Sequence, residues 1–273
     1  MSDSMSQWLD CGWIDISPST NFNSGESFVL PMKEEVRLGF LGGSGIYDVA
    51  FFERFETRNI DTPYGKPSNP MKIGTLGKRK IAFLSRHGKG HEIPAHQLPH
   101  KANLWAFKEL GVERVVSTSS VGSLKKGIRP GSFLVPDDFF SPWNIITYFD
   151  SRVKHITPSF DEELRQGLIQ AAKKLNFNVY DKGTYVQTIG PRLETRAEIR
   201  GLSSFGEVIG MTVASEATLA NELDLGYASL CMVDNYCHGI EEEPLTYEKI
   251  VQNQKKNARN AKKLISSFLG ETA

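Results

Sequence analysis

The sequence has few cysteines and no long apolar run. Its 273 residues include only Cys11, Cys231 and Cys237, with no Cys-x-x-Cys pair, which argues against a disulfide framework and against a zinc site of that kind. No apolar run approaches the roughly 18 residues of a membrane helix, and the N-terminus carries neither the basic nor the apolar part of a secretory signal. We therefore expect a cytoplasmic protein that does not enter a membrane.

An excess of charge is absent as well. The 32 basic residues balance 32 acidic ones, so the formal net charge is zero. Without a long basic block there is no electrostatic reason to expect nucleic-acid or membrane binding, although a local anion site of a few residues fits this composition. We expect a small-molecule partner, and the length suits one large core in a single domain.

Residues 1–34 show no sustained apolar period and contain seven serines in the first 27 positions. We predict a weakly ordered N-terminal extension over 1–34 and one domain over 35–273. Docking of the extension onto the body or a partner stays open, because Trp8 and Trp13 give it apolar surface to bury.

The segment 206–240 predicts the strands and the helix against which the other parts of the site are interpreted. Its apolar runs at 208–211 and 227–233 flank an Ala- and Leu-rich stretch at 214–223, which predicts a strand, a helix and a second, parallel strand. Small ligands bind beyond the carboxyl ends of the strands in such sheets, so Met211, Thr212 and Asn235 are expected to face a ligand.

Three further predicted strands end in anion-binding side chains. The strand at 36–41 enters a glycine turn with Ser44, the strand at 80–84 ends at Arg86 and His87, and the strand at 115–121 contains Ser119 and Ser120. A guanidinium offers a planar fork to an oxyanion, and an imidazole adds a directed donor. The glycine turn matches neither the dinucleotide fingerprint nor a P-loop, so a turn without a ligand remains an alternative there.

Four of the six histidines, from His87 to His100, lie within fourteen residues. Glycine and proline interrupt this loop, and no cysteine or pair of carboxylates is close enough to complete a tetrahedral set. We expect no metal there. Helices are predicted at 97–110, at 161–175 behind the cap Asp161, and at 246–269.

Seven ordered motifs carry a family resemblance: LGFLGGSGIYD, TPYGKPS, SRHGKGH, TSSVGSL, GPRLETRAE, MTVASEATLA and DNY. Together they resemble the trimeric purine nucleoside phosphorylases, and most closely the methylthioadenosine phosphorylase branch, over roughly residues 36–268. The resemblance implies a single α/β domain with a mixed, mostly parallel central sheet flanked by helices, and a homotrimer. It also implies cleavage of a nucleoside by inorganic phosphate to a free purine and a pentose 1-phosphate, with phosphate as co-substrate and no cofactor.

The resemblance also implies roles for individual residues, among them catalytic roles for Asn235 and His87. The residues that it implies as phosphate ligands are Ser44, Arg86, His87, Ser119, Ser120 and Thr212. It implies that Met211 contacts the ribose. The residues that it implies for the base pocket are Leu193, Glu194, Asn235, Tyr236 and Cys237. The pocket for the 5′ group falls on His91, Tyr247 and Ile250. Because a tyrosine at 247 could fill space or bond a 5′-hydroxyl, inosine-type and methylthioinosine-type substrates both stay open.

The chain departs from that branch at the base. Branch members that use 6-aminopurines carry Asp-Tyr-Asp and a small residue where this chain has Asn235-Tyr236-Cys237 and Glu194. An amide can donate to O6 or N7 and a carboxylate can accept from N1–H, whereas the N1 of adenine is an acceptor and would face an unpaired carboxylate. We therefore predict phosphorolysis of 6-oxopurine nucleosides. The alternatives are a methylthioadenosine phosphorylase that tolerates these changes, and a purine-binding protein without activity.

Overall fold

The computed structural model describes residues 36–43, 45–46, 54–76, 79–143, 145–242 and 246–271. The extension 1–34 and the predicted phosphate ligand Ser44 lie outside the described residues, so both predictions stay predictions. Within those ranges no helix is long and apolar enough to span a membrane.

Each of the predicted strands, at 36–41, 80–84, 115–121, 208–211 and 227–233, overlaps one of the described strands. The described strands are β1 (Leu38–Gly42), β2 (Arg54–Arg58), β3 (Met71–Leu76), β4 (Arg79–Ser85), β5 (Arg114–Ser123), β6 (Phe133–Leu134), β7 (Asp138–Phe140), β8 (Val179–Tyr180), β9 (Thr184–Gln187), β10 (Val208–Gly210) and β11 (Gly226–Tyr236).

The helices are α1 (His100–Glu109), α2 (Glu162–Lys174), α3 (Arg196–Leu202), α4 (Val213–Glu222) and α5 (Tyr247–Glu271), with a short 3₁₀ turn at Ala95–Gln97. Asp161 caps α2 as predicted, since its carboxylate accepts a hydrogen bond from the Leu164 amide at 3.0 Å. Helix α3 was not predicted, although Thr195 and Glu198 form a complete capping box at its start.

All the described strands belong to one sheet, whose main path runs β2-β3-β4-β1-β5-β10-β9-β7. Strands β4, β1, β5 and β11 are parallel to their neighbours in that group, whereas β2, β3 and the pairs β10–β5 and β11–β6 are antiparallel. The predicted fold class, a single α/β domain with a mixed, mostly parallel central sheet flanked by helices, is confirmed.

Helices cover both faces of this sheet. Successive residues of β1, Phe40 and Leu41, are buried in different hydrophobic clusters. One cluster includes side chains of α1 and α4 and the other includes side chains of α2 and α5. Burial on both faces explains why the central strands are nearly continuous apolar runs.

The prediction that β10 and β11 are parallel is wrong. Strand β11 runs parallel to β5, but β10 runs antiparallel to it. The residues of β5 that pair with β10 are Gly122 and Ser123, at the carboxyl end of β5. It therefore runs back from that end for three residues, and Met211 and Thr212 still reach the region beside Asn235.

Candidate active site

The site lies beside a gap along one edge of β5. Strand β1 pairs with β5 as far as Ser117, and β10 pairs with it from Gly122 onward. Between these positions, no other described strand pairs with that edge of β5. The amide of Gly43 closes part of the gap by donating to Thr118 Oγ1 at 2.9 Å, and a cavity of about 530 Å³ opens beside the rest.

Residues from distant parts of the sequence line this cavity together. Of the predicted site residues, the lining includes Arg86, His87, His91, Ser119, Ser120, Leu193, Glu194, Met211, Thr212, Asn235, Cys237 and Ile250. Helix α5 begins at Tyr247, whose side chain lies outside the described part of the structure. The structure thus brings several strand ends together at one cavity, as their polar residues predicted.

Tyr236 is an exception. Its hydroxyl donates to the Lys126 carbonyl at 3.0 Å, and it does not belong to the cavity lining. Successive side chains of a strand point to opposite faces, so Asn235 and Cys237 face the cavity while Tyr236 faces away. That Tyr236 contacts the base stays a prediction.

Arg86 is held by a buried carboxylate. Its Nε and Nη2 donate to the two carboxylate oxygens of Glu216 at 2.5 and 2.8 Å, and its Nη1 donates to the Thr118 carbonyl at 2.7 Å. Burial alone would raise the pKa of Glu216, but the charge and hydrogen bonds of Arg86 hold that pKa below its usual value. A guanidinium has five N–H bonds, so two remain for a ligand in the cavity.

Glu216 was missed by the sequence reasoning. It is completely buried and also accepts a hydrogen bond from the Tyr227 hydroxyl at 2.6 Å. The sequence does carry a signal, because Glu216 lies in the first turn of α4 among alanines, valine and leucine. A carboxylate is rarely buried without a partner, so a cation could have been expected beside it.

His87 differs from its predicted role as a donor. Its Nδ1–H donates to the Ile93 carbonyl at 2.8 Å, which leaves Nε2 as the acceptor of the neutral ring. Burial, and then the charge of Arg86, lower the pKa of His87 to about 4. At neutral pH this ring therefore presents an acceptor to the cavity and suits an anion that still carries a proton.

Thr212 lies at the start of α4 with its side-chain oxygen aimed at no protein partner. This hydroxyl is buried and has no hydrogen-bond partner in the described structure. The N-terminus of a ten-residue helix carries a partial positive charge, and Thr212 is the cap position of α4. A donor without a partner beside a helix N-terminus suits an anion.

The Ser120 hydroxyl is already engaged. It donates to Oδ2 of Asp234 and accepts from Gln254 Nε2 at 3.0 Å. Its single proton is therefore directed to Asp234 in this arrangement, and that Ser120 binds phosphate stays a prediction. Ser120 does line the cavity.

Glu194, Asn235 and Cys237 form the other part of the cavity. Thr188 donates to Glu194 Oε1 at 2.6 Å, which leaves Oε2 as an acceptor for a ligand. The Asn235 amide donates to the Tyr236 carbonyl at 2.9 Å and keeps a second N–H. Burial, and then the charge of Glu194, raise the pKa of the Cys237 thiol. Cys237 therefore contributes an uncharged thiol to the cavity lining, together with the donor Asn235 and the acceptor Glu194.

A larger residue at Gly122 would displace the side chains beside it. A Cβ placed there would lie 2.5 Å from Cys237 Sγ and 3.3 Å from Asn235 Nδ2. The backbone of β5 thus forms the surface against which both side chains rest.

His91 and Ile250 complete the lining on the side of α5. The rings of His91 and His87 are 4.1 Å apart and tilted by 33°, and His91 has the left-handed φ of 68° that is uncommon outside glycine. Gln254 and His238, which were not predicted, also line the cavity.

No group of three or more His, Cys, Asp or Glu side chains placed to hold a metal exists among the described residues. The clustered histidines have separate surroundings, since His87 bonds a carbonyl and His100 lies 3.7 Å from Glu216. That the activity needs no metal stays a prediction.

Comparisons with known proteins agree with this geometry. The sequence model of the phosphorylase superfamily matches residues 37–270. The chain is 41% identical over 229 residues to the "Probable 6-oxopurine nucleoside phosphorylase" of Archaeoglobus fulgidus, covering 84% of this chain and 93% of that protein. It is 42% identical over 234 residues to the S-methyl-5′-thioadenosine phosphorylase of Pyrococcus furiosus, covering 84% and 90%.

A solved structure is similar as well. The methylthioadenosine phosphorylase of Schistosoma mansoni in complex with adenine superposes with a TM-score of 0.79 at 29% identity, covering 86% of this chain and 91% of that one. Relatives at nearly equal identity thus carry names that refer to different purine classes.

Proposed function

Because this chain belongs to the phosphorylase superfamily and is a purine nucleoside phosphorylase, a pentosyltransferase of purine salvage, we propose that its substrates are 6-oxopurine nucleosides: inosine, guanosine or methylthioinosine. The observation that supports this proposal is that Glu194 and Asn235 line one cavity with the thiol Cys237 beside them.

The hydrogen-bonding pattern of these side chains matches a 6-oxopurine. Hypoxanthine and guanine offer O6 as an acceptor and N1–H as a donor, which suit the Asn235 amide and the Glu194 carboxylate. Adenine offers the reverse pattern, so its N1 would face Glu194 with two acceptors opposed. Leaving such a group unpaired costs about 1 to 3 kcal/mol.

In the proposed reaction a phosphate oxygen bonds to C1′ of the ribosyl group while the bond from C1′ to the purine breaks. The electron pair of that bond leaves with the base, and the proton of hydrogen phosphate ends on the base. Arg86, the Thr212 hydroxyl and the N-terminus of α4 would hold the phosphate charge, and the His87 Nε2 would accept a hydrogen bond from the P–OH group. Asn235 would donate to the base as its negative charge grows, and Met211 would contact the ribose.

The alternative is a methylthioadenosine phosphorylase that uses 6-aminopurines, which the names of several relatives favour. Steady-state kcat/KM for inosine, guanosine, methylthioinosine, adenosine and methylthioadenosine separates the two. We expect every 6-oxopurine nucleoside to exceed the adenine nucleoside with the same 5′ group, and the reverse order would contradict the proposal. Comparing kcat/KM for inosine with that for methylthioinosine shows whether the enzyme prefers a 5′-hydroxyl or a 5′-methylthio group.

The same assays test the co-substrate. We expect purine release to stop when phosphate is withheld and a pentose 1-phosphate to accumulate when it is supplied. Chelators should leave the rate unchanged. Inactivation by a chelator, or hydrolysis without phosphate, would contradict the proposed chemistry. A cytoplasmic location, and the absence of any cofactor, belong to the same proposal.

A homotrimer is also proposed. We propose the segment 142–155 as the subunit border, because it is rich in aromatic residues and exposes Ile145 at 69% and Val153 at 91% of their surface. Exposed apolar side chains favour interfaces. We expect an active trimer in analytical ultracentrifugation and its dissociation in an Ile145→Glu, Val153→Glu variant. A fully active monomer would contradict this proposal.

A further inference from the structure

Asp234 is a completely buried carboxylate that the proposed chemistry does not use. It is the extra residue of a β-bulge, because β11 pairs with β5 through Val233 and then resumes at Asn235. Oδ2 accepts from the Ser120 hydroxyl, and Oδ1 accepts from Asn257 Nδ2 at 2.6 Å. These two partners are neutral, and burial raises the pKa of Asp234 to about 6.

Each of these contacts joins a different part of the site. Ser120 belongs to β5 and lines the same cavity as Arg86 and Thr212. Asn257 belongs to α5, which supplies Ile250 and Gln254 to the same cavity. The bulge itself lies directly before Asn235, and bulges commonly redirect the side chain that follows.

Helix α5 also bonds this region without using the carboxylate. Asn253 Nδ2 donates to the main-chain carbonyl of Asp234 at 2.7 Å. Gln254 Nε2 donates to the Ser120 hydroxyl at 3.0 Å, the same oxygen that Asp234 holds. The Ser120 hydroxyl is therefore fixed between an acceptor on β11 and a donor on α5.

We propose that Asp234 is a positioning residue of the phosphorylase: its carboxylate fixes Ser120 at the phosphate side of the cavity and ties that strand end to α5. The proposal rests on the proposed function and on the predicted place of Ser120 among the phosphate ligands. Burying a carboxylate is costly, and contacts made by both of its oxygens give a reason for its presence at a bulge between β5 and α5.

The carboxylate cannot be replaced by an amide without a conflict. Both groups that face Asp234 use a hydrogen as donor, namely the Ser120 hydroxyl and the Asn257 amide. In Asp234→Asn one carboxylate oxygen is replaced by an NH₂ group, which is a donor. Either the Ser120 hydroxyl or the Asn257 amide then faces a donor where it had an acceptor. The affected side chain must then rotate, and a rotated Ser120 changes the phosphate side of the cavity.

The test is a double-mutant cycle with Asp234→Asn and Ser120→Ala, measured with the best nucleoside of the parent enzyme. We expect Asp234→Asn to raise the phosphate KM by about 10- to 100-fold, with the nucleoside KM changed by less than about threefold. In the Ser120→Ala background the same substitution should change the phosphate KM by less than about threefold, because contacting pairs are not additive.

Asn253→Ala is the matched control, because it removes a bond between α5 and the bulge without touching the carboxylate. It should lower Tm and leave the phosphate KM unchanged. Equal effects of Asp234→Asn in both backgrounds, or a lower Tm with an unchanged phosphate KM, would overturn the proposal.

Asp234→Ser replaces Asp234→Asn in the cycle if the amide variant does not fold. If neither folds, Ser120→Ala decides alone, and an unchanged phosphate KM in that variant overturns the proposal. If the parent enzyme prefers 6-aminopurines, the double-mutant cycle still tests the role of Asp234, because it is measured with whichever nucleoside the parent cleaves. A parent that cleaves none would instead refute the proposed function.

Discussion

Replacing Asn235 by aspartate and Glu194 by serine is expected to move the base preference from hypoxanthine toward adenine. Asn235→Asp puts an acceptor opposite O6, and Glu194→Ser removes the acceptor for N1–H. Each single change should lower kcat/KM for inosine by about 10- to 100-fold, since each leaves a buried polar group unpaired. In the double variant the new carboxylate can accept from the 6-amino group, and no carboxylate faces N1.

The double variant is expected to remain slower on adenosine than the parent is on inosine, because Cys237 supplies no second carboxylate. The measurement is kcat/KM for the five nucleosides in the parent and three variants. Glu198→Ser serves as the control, since Glu198 caps α3 in the same segment but lies outside the cavity lining. It should lower stability and leave the ratio of inosine to adenosine unchanged. An unchanged ratio in the double variant would show that these residues do not read the base.

Replacing Arg86 by alanine is expected to abolish most of the activity and to destabilise the fold. Losing a charged donor that faces the transferred group lowers kcat by about 10² to 10³, and the phosphate KM should rise as well. Removing one member of a buried ion pair also costs about 3 to 5 kcal/mol, because Glu216 is left as an uncompensated charge. Steady-state kinetics and thermal unfolding measure the two effects.

Arg86→Ala combined with Glu216→Gln separates these effects. The second change removes the stranded charge, so the double variant should recover much of the lost Tm while staying inactive. Recovery of activity together with Tm would show that Arg86 only supports the fold. Full activity of Arg86→Ala alone would contradict its place at the phosphate.

Much of the fold was predictable because burial determines the pattern of the central strands. Strands β1 and β11 are largely apolar and buried, and the predicted ends of α2 agree with the structure within a residue because Asp161 marks its start. The direction of β10 was not predictable, since three apolar residues carry no signal for the strand beside which they lie. Helix α3 has a single buried side chain, Ile199, which is too little for a periodic pattern.

The site was predictable to the extent that it consists of strand ends. Arg86 and Thr212 line one cavity, as expected because polar residues that follow apolar runs collect at one edge of the sheet. The predicted base contact of Tyr236 comes from the family motif as a whole, whereas adjacent strand residues face opposite ways and Tyr236 is not in the cavity lining. Glu216 and Asp234 were missed because their partners are 130 and 114 positions away, and no local pattern connects such pairs.

The central claim, a preference for 6-oxopurines, is tested most directly by competition in one tube. Equal concentrations of inosine and adenosine are mixed with enzyme and excess phosphate, and free hypoxanthine and adenine are followed by chromatography. The initial ratio of the two bases equals the ratio of the kcat/KM values, independent of enzyme concentration and purity. We predict that hypoxanthine is released at least about 100-fold faster than adenine, as expected for a site that hydrogen-bonds the preferred base. Release of adenine at an equal or greater rate would contradict the account.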